Sequence, residues 1–377
     1  MTEAALVLED GTVFRGTAYG KRGRALGEAV FSTGMTGYQE TLTDPSYAGQ
    51  IIVQTAPHIG VTGVNAEDDE SKRIWAEGYV VRAASRFTSN WRSEETLEAR
   101  LEREGIVGIS RVDTRAVTLH LRDKGSMRAG VFSGDELTAD ADMLAQVLNS
   151  PEMAGRSLSE AVSVTEPEHY DAIGERIGSV AVLDLGIKSS TIQYLRERGF
   201  ELTVLPQDTS FEQLSALAPD GVFYSNGPGD PAASTGQIEL LQQILRADIP
   251  YFGICFGNQL LGRALGFDTY KLTFGHRGIN QPVLDTATGR VEITSQNHGF
   301  AVDAPIDEVV DSPAGFGRVK VSHYSLNDQV VEGLEAIDIP AFSVQFHPES
   351  AAGPHDSMHL FDRFRESINI RKGTTNA

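Results

Sequence analysis

From residue 179 to residue 265 the chain alternates short apolar runs with helical patterns, and this alternation narrows the possible folds more than any other feature. Residues 179–186 (SVAVLDLG) are almost continuously apolar, as expected of a strand covered on both faces of a parallel sheet. A helix at 188–198, a strand at 201–206, a short helix at 211–217, a strand at 221–224, a helix at 237–247 and a strand at 250–254 follow. Repetition of strand and helix predicts an α/β domain with a mostly parallel sheet covered by helices. Ligands in such sheets bind beyond the carboxyl ends of the strands, so the residues after each strand are the ones to inspect.

The strand ending at Ile254 runs into Cys255-Phe256-Gly257-Asn258-Gln259, where a helical pattern begins. Cys255 therefore sits at a sharp strand-to-helix turn, bracketed by Gly253 and Gly257. Small neighbours are expected to let the backbone take a strained conformation and a substrate come close. Backbone N–H groups and the positive dipole end at a helix start favour a thiolate. Cys255 is also the sole cysteine of 377 residues, which excludes an internal disulfide and a multi-cysteine metal site. A lone cysteine is most often a small core residue; the glycine-bracketed turn marks this one as a nucleophile.

Two further stretches fall at strand ends. Asn226-Gly227-Pro228-Gly229 follows the strand at 221–224, and His347-Pro348-Glu349 follows a strand expected at 342–346. Each alone is uninformative, the first reading as an ordinary turn. Together with Cys255 they suggest a Cys255–His347–Glu349 triad. His347 and Glu349, two residues apart, would lie on the same side of an extended segment. His347 would take the thiol proton and return it to a leaving nitrogen, and Glu349 would fix the ring and stabilise its charged form. The N–H of Phe256, with Gly227 on the neighbouring loop, would form the oxyanion hole. His355 and His359 are four apart and could face one way on a helix, but no third ligand accompanies them, so no metal is expected. Neither Gly-x-x-x-x-Gly-Lys-Ser/Thr nor Gly-x-Gly-x-x-Gly after a strand occurs, so no phosphate-binding loop is expected.

The first half reads differently. A hairpin at 4–14, strands at 28–32, 50–54, 77–83 and 106–110, and helices at 94–104, 116–124 and 135–149 predict a smaller mixed α/β domain over residues 1–150. The charge run at 67–72 is expected to be a solvated surface. Residues 151–178, with Pro151, Pro167 and scattered glycines, read as a connection between domains, leaving 179–372 as the second domain. Lysine and arginine total 32 against 52 aspartates and glutamates, a formal net charge of −20, which predicts no nucleic-acid partner and no association with anionic membranes. No basic-then-apolar signal opens the chain and no apolar run reaches spanning length. A lone reduced cysteine fits the cytoplasm.

The segments at 253–259, 225–231 and 347–349 resemble the three signatures of the class I glutamine amidotransferases. Phe31 to Glu40 (FSTGMTGYQE), Thr43 to Tyr47 (TDPSY), Pro57 to Gly60 (PHIG), Asp113-Thr114-Arg115 and Ser295 to Phe300 (SQNHGF) are similar to the carbamoyl-phosphate synthase small-chain family, and the likeness runs from about residue 6 to residue 370. The resemblance implies hydrolysis of the glutamine side-chain amide through a γ-glutamyl thioester on Cys255. Ammonia would pass through a tunnel to a separate large chain, which would make carbamoyl phosphate from bicarbonate and ATP for pyrimidine and arginine synthesis. It implies glutamine contacts from Ser46, Gly227, Gly229, Phe256, Gln259, Asn297, Gly299 and Phe300; Ser46, from the first domain, would put the site at the domain boundary. His298 ranks below His347 as the base. No cofactor is implied for this chain, ATP and Mg being expected on the large one. The family more often has Leu at position 256 and His at 258. Three other readings remain: an amidotransferase subunit of another glutamine-dependent synthase, a catalytically silent scaffold, and a Cys–His peptidase.

Overall fold

The computed structural model describes residues 2–375. They divide into two compact units, Met1–Ala154 with Thr273–Gly278, and Gly155–Leu272 with Ile279–Ala377.

In the first unit seven strands close into a barrel in the order Glu3–Leu8, Val13–Gly20, Val107–Ser110, Gly78–Val80, Gln50–Gln54, Arg24–Ser32, Met127–Ser133 and back to Glu3–Leu8. Closure rests on Met127–Ser133, which pairs antiparallel with both Glu3–Leu8 and Arg24–Ser32. Alternate side chains, among them Leu6, Ile51, Val80, Ile109 and Val131, fill the interior. Helix Leu97–Glu104 starts where the Thr96 hydroxyl accepts the Ala99 N–H at 3.2 Å and stops at Gly105, whose φ is 78°. The charge run at 67–72 departs from the expected solvated face. Asp68 pairs with Arg92 at 2.6 Å, Asp69 with Arg100 at 2.8 Å, and Glu70 is buried. Buried Arg100 needs Asp69, together with Glu104, as counter-ions.

The second unit is built on an 11-stranded sheet. Five strands at its centre, Phe200–Leu205, Gly178–Leu183, Gly221–Tyr224, Tyr251–Ile254 and Ala341–Val344, are parallel in that spatial order. Beyond them the sheet turns antiparallel through Val331–Ala336, Arg318–Ser325, Asp268–Asp285 and Val291–Asp303. Apolar clusters cover both faces. Leu183, Tyr224 and Tyr251 pack with helices Thr235–Arg246 and Phe256–Ala264 on one side. Val182, Phe252 and Phe342 pack with Phe361 and Phe364 of helix His359–Thr375 on the other. Two-sided burial explains why these strands are continuously apolar. Residues 151–178, expected as a connection, carry a helical turn at Ser159–Val162 and a strand, Glu168–Tyr170, that extends the sheet by pairing antiparallel with Phe200–Leu205.

Candidate active site

Strand Tyr251–Ile254 ends one residue before the turn, and helix Phe256–Ala264 begins one residue after it. Cys255 between them has φ 54° and ψ −98°, a conformation that costs a non-glycine residue roughly 1–3 kcal/mol. Three backbone hydrogen bonds hold it there. Its N–H donates to the Val344 carbonyl at 2.8 Å, and its own carbonyl accepts the Asn258 and Gln259 N–H groups at 3.0 and 3.2 Å. The strain falls on Cys255 itself and not on the bracketing glycines. A Cβ on Gly257 would lie 2.5 Å from the Tyr224 carbonyl oxygen, and one on Gly253 would lie 2.8 Å from the Gly257 backbone. They are glycines because the helix start is pressed against the neighbouring strand. The Cys255 thiol is buried and donates to the Asn297 carbonyl at 3.6 Å.

His347 lies past the end of strand Ala341–Val344, which stops two residues earlier than its sequence suggests. Pro348 and Glu349 form a turn there rather than an extended segment, so alternation is not what brings the two side chains together. The His347 N–H donates to the Ser295 carbonyl at 2.8 Å, which ties the turn to strand Val291–Asp303. Nδ1 of His347 then meets Oε1 of Glu349 at 2.7 Å, both side chains being fully buried. This pairing leaves Nε2 without a hydrogen-bond partner among the described residues. Burial by itself lowers the basicity of His347; the adjacent Glu349 carboxylate, with help from Cys255, outweighs burial and Lys188 and raises it to about 10. Burial raises Glu349 in turn, but Lys188 and His347 bring it down to about 2. The pair is therefore imidazolium and carboxylate at neutral pH.

Lys188 was not singled out by sequence. Its ammonium is buried and donates to Glu349 Oε1 at 3.1 Å. It precedes helix Ser189–Glu197, where a cation opposes the helix dipole. That unfavourable placement was the available signal.

The loop at 225–231 leaves strand Gly221–Tyr224 directly beside the nucleophile, because Tyr224 is in register with Gly253. The Leu185 N–H donates to Ser225 Oγ at 2.9 Å, and Asn226 Nδ2 donates to the Gly186 carbonyl at 2.8 Å. Gly227 approaches the Leu185 carbonyl so closely that a Cβ would overlap it, and Gly229 has φ 100°. Strand Val291–Asp303 carries Asn297, His298, Gly299 and Phe300. Gln259, one turn into the helix, donates from Nε2 to the Phe300 carbonyl at 3.0 Å. His298 makes its own contacts along that strand, Nδ1 to the Phe300 carbonyl at 2.9 Å and Nε2 to Gln296 Oε1 at 3.3 Å, and is thereby a scaffold for Phe300.

Cys255 thus contacts Asn297 and Gln259, Gln259 contacts Phe300, and His347 contacts Glu349, with Phe256 next to the nucleophile in the chain and Gly227, Gly229 and Gly299 on the adjoining loop and strand. Ser46 belongs to the first unit, where its N–H donates to Asp44 Oδ1 at 2.9 Å in the turn Pro45–Tyr47. His355 and His359 do not share a helix: the helix begins at His359, whose ring nitrogen meets the Asp356 carbonyl at 3.3 Å.

Residues 6–131 match the family described as carbamoyl-phosphate synthase small chain, CPSase domain, and residues 181–367 match glutamine amidotransferase class-I. The chain is 59% identical over 372 residues to a carbamoyl phosphate synthase small chain of Streptomyces coelicolor, covering 99% of this chain and 97% of that one. Over 389 residues it is 58% identical to the protein of the same name from Bifidobacterium longum, covering 98% and 96%. With that of Mycobacterium tuberculosis it shares 56% over 371 residues, covering 97% and 98%.

Proposed function

The chain belongs to the carbamoyl-phosphate synthase small-chain family, and on that premise we propose that its second unit hydrolyses glutamine through a γ-glutamyl thioester on Cys255 and hands the ammonia to a large-chain partner. The observation that carries this reading is a buried cysteine at a left-handed turn beside a histidine that Glu349 holds charged.

The steps follow from the residues. The Cys255 thiol gives its proton to Nε2 of His347, its sulfur attacks the γ-carbonyl carbon of glutamine, and the C–N bond is later the one to break. As the carbonyl oxygen gains charge it is met by the Phe256 N–H, one of the helix-start donors with no intrahelical acceptor, with Gly227 supplying close backbone on the other side. His347, protonated, gives its proton through Nε2 to the departing nitrogen, so ammonia rather than an amide anion leaves. Water then attacks the thioester while losing a proton to His347; glutamate leaves and the sulfur is restored. Glu349 holds the ring through Nδ1, and Lys188 holds Glu349.

Gly227, Gly229, Phe256, Gln259, Asn297, Gly299 and Phe300 are the glutamine contacts in this proposal; Ser46 is assigned on the family resemblance alone. Free ammonia is a poor end product for such machinery. The partner would receive it through an internal passage and combine it with bicarbonate, using ATP and Mg held on that partner, to form carbamoyl phosphate. No described helix is long and apolar enough to cross a membrane, and a thiol nucleophile that must stay reduced suits the cytoplasm.

Cys255→Ser tests the reading. Glutamate release should fall at least about 1,000-fold with the melting temperature unchanged within a few degrees. Wild-type protein quenched in acid during turnover of labelled glutamine should retain label that hydroxylamine removes, and the variant should retain none. Undiminished release by Cys255→Ser would sink the proposal.

A further inference from the structure

In the first unit the parallel strands Gly78–Val80 and Val107–Ser110 end side by side. Arg82 follows the first and Arg111 the second. The Arg111 N–H donates to the Arg82 carbonyl at 2.8 Å, which sets the two arginines next to each other. A cavity of about 400 Å³ opens there, at the carboxyl ends of the two strands, where parallel sheets bind their ligands. Arg22 and Arg86 line it as well, and all four arginines are exposed, so a ligand can reach them.

A chain with 52 acidic and 32 basic residues offers an arginine many carboxylates. Yet of these four only Arg82 has an acidic partner among the described residues, Asp113 Oδ1 at a long 3.8 Å. Arg111 has φ 65°, a left-handed conformation that glycine or asparagine takes at lower cost than arginine. A strained backbone position that holds a long cation is a pointer to function at that side chain. Tyr19 also lines the cavity; it is 2% exposed, and its hydroxyl has no hydrogen-bond partner among the described residues. A Cβ on Gly60 would lie 3.7 Å from both that hydroxyl and the backbone nitrogen of Ser85, which places the hydroxyl beside the cavity wall that Ser85 forms.

Helix Leu97–Glu104 contributes Glu98 and Glu102 to the opposite side. Four guanidinium groups against two carboxylates leave two positive charges, which a dianion balances. Guanidinium forks bind phosphate oxygens two at a time, and a tyrosine O–H can donate to the same group. The volume falls in the range of small-molecule sites, about 300–1,000 Å³, so there is room for an organic part beside the phosphate. We propose that this cavity binds a small phosphate monoester. Arg82 and Arg111 grip the phosphate, Arg22 and Arg86 add to the attraction, and Glu98 and Glu102 accept from hydroxyl groups of the organic part. The proposal goes beyond the glutaminase reading and does not depend on it.

The test is calorimetric titration of the full chain with ribose 5-phosphate, and separately with inorganic phosphate, ribose and citrate. Ribose 5-phosphate should bind one molecule per chain with a Kd below about 1 mM at low salt. Raising chloride from about 50 to about 300 mM should weaken it several-fold, because the arginines are exposed to screening. Arg82→Gln should weaken binding at least about 10-fold through the lost charge-assisted hydrogen bonds. Arg111→Gly should do the same while the melting temperature holds or rises, since glycine relieves the left-handed strain. Both variants should release glutamate within twofold of wild type. No saturable binding of ribose 5-phosphate up to about 10 mM, or unchanged affinity in both variants, would overturn the proposal. Inorganic phosphate binding as tightly as the ester would overturn the assignment to an ester, and tighter binding of citrate would overturn the assignment to phosphate.

Discussion

Replacing Glu349 with glutamine keeps the shape of the site and removes one charge, and its consequences can be worked from the geometry. In the folded protein His347 is raised from an ordinary 6.5 to about 10, with Glu349 Oε1 2.7 Å from Nδ1. At about 1.4 kcal/mol per pH unit, that rise corresponds to roughly 5 kcal/mol favouring the imidazolium, shared between the two partners. Burial and Lys188 both push the other way. In Glu349→Gln only the lesser contribution of Cys255 opposes them, so His347 should titrate below 6.5 and be neutral at pH 7. It then has no proton to give the leaving nitrogen. A carboxylate lost from such an array costs about 10,000-fold in the serine-protease template, and we expect about 1,000- to 10,000-fold in glutamate release here. Lys188 also loses its counter-ion, which should lower stability by about 3–5 kcal/mol. The pH dependence has a definite sign. His347, raised on folding, stabilises wild-type protein below about 6.5, and that contribution is lost as pH climbs through about 10. Glu349, lowered on folding from 4.5 to about 2, stabilises above 4.5 and is lost as pH falls toward 2. Melting temperature against pH should therefore show both limbs in wild type and neither in the variant. The assay is glutamate release from pH 5 to 10, alongside the imidazole NMR signal of His347. Release within tenfold of wild type, or an imidazole still charged at pH 8 in Glu349→Gln, would refute the reasoning.

Lys188→Met should cost about 2–4 kcal/mol in urea unfolding at pH 7, less than a fully orphaned charge because His347 still pairs with Glu349. Because Lys188 is the chief group holding Glu349 low, the gap between variant and wild type should narrow as pH falls from 5 toward 2; a gap that stays constant or widens would count against that role. Gly257→Ala forces a Cβ to within 2.5 Å of the Tyr224 carbonyl, so about 1–3 kcal/mol of stability and more than tenfold of glutamate release should be lost together. Gly236→Ala, on helix Thr235–Arg246 with nothing within 4 Å of the new Cβ, should instead stabilise by about 0.5–1 kcal/mol in the same unfolding assay.

The parallel sheet and the nucleophile turn were legible because both are written locally. Apolar runs of strand length mark Gly178–Leu183 and Tyr251–Ile254, and glycines mark the close approach at 253 and 257. His347 and Glu349 were legible as a pair for a reason that proved incomplete, since a turn and a pairing to Ser295 bring them together rather than strand alternation. What stayed hidden depends on contacts distant in sequence. Met127–Ser133 closes the barrel by pairing with strands about a hundred residues earlier, and its own residues, interrupted by Gly130, show no clean alternation. Glu168–Tyr170 is three residues that become a strand only because Phe200–Leu205 offers an edge. Lys188 lies 161 positions from Glu349, so no local pattern announces that partnership.

The most direct measurement is glutamate release from glutamine by the purified chain, first alone and then with the partner large chain, ATP and bicarbonate. Slow release alone, strong stimulation in the complete mixture, and carbamoyl phosphate formed in step with glutamate are expected. Equal rates in both conditions, with no carbamoyl phosphate, would contradict the coupling of this amidase to that partner.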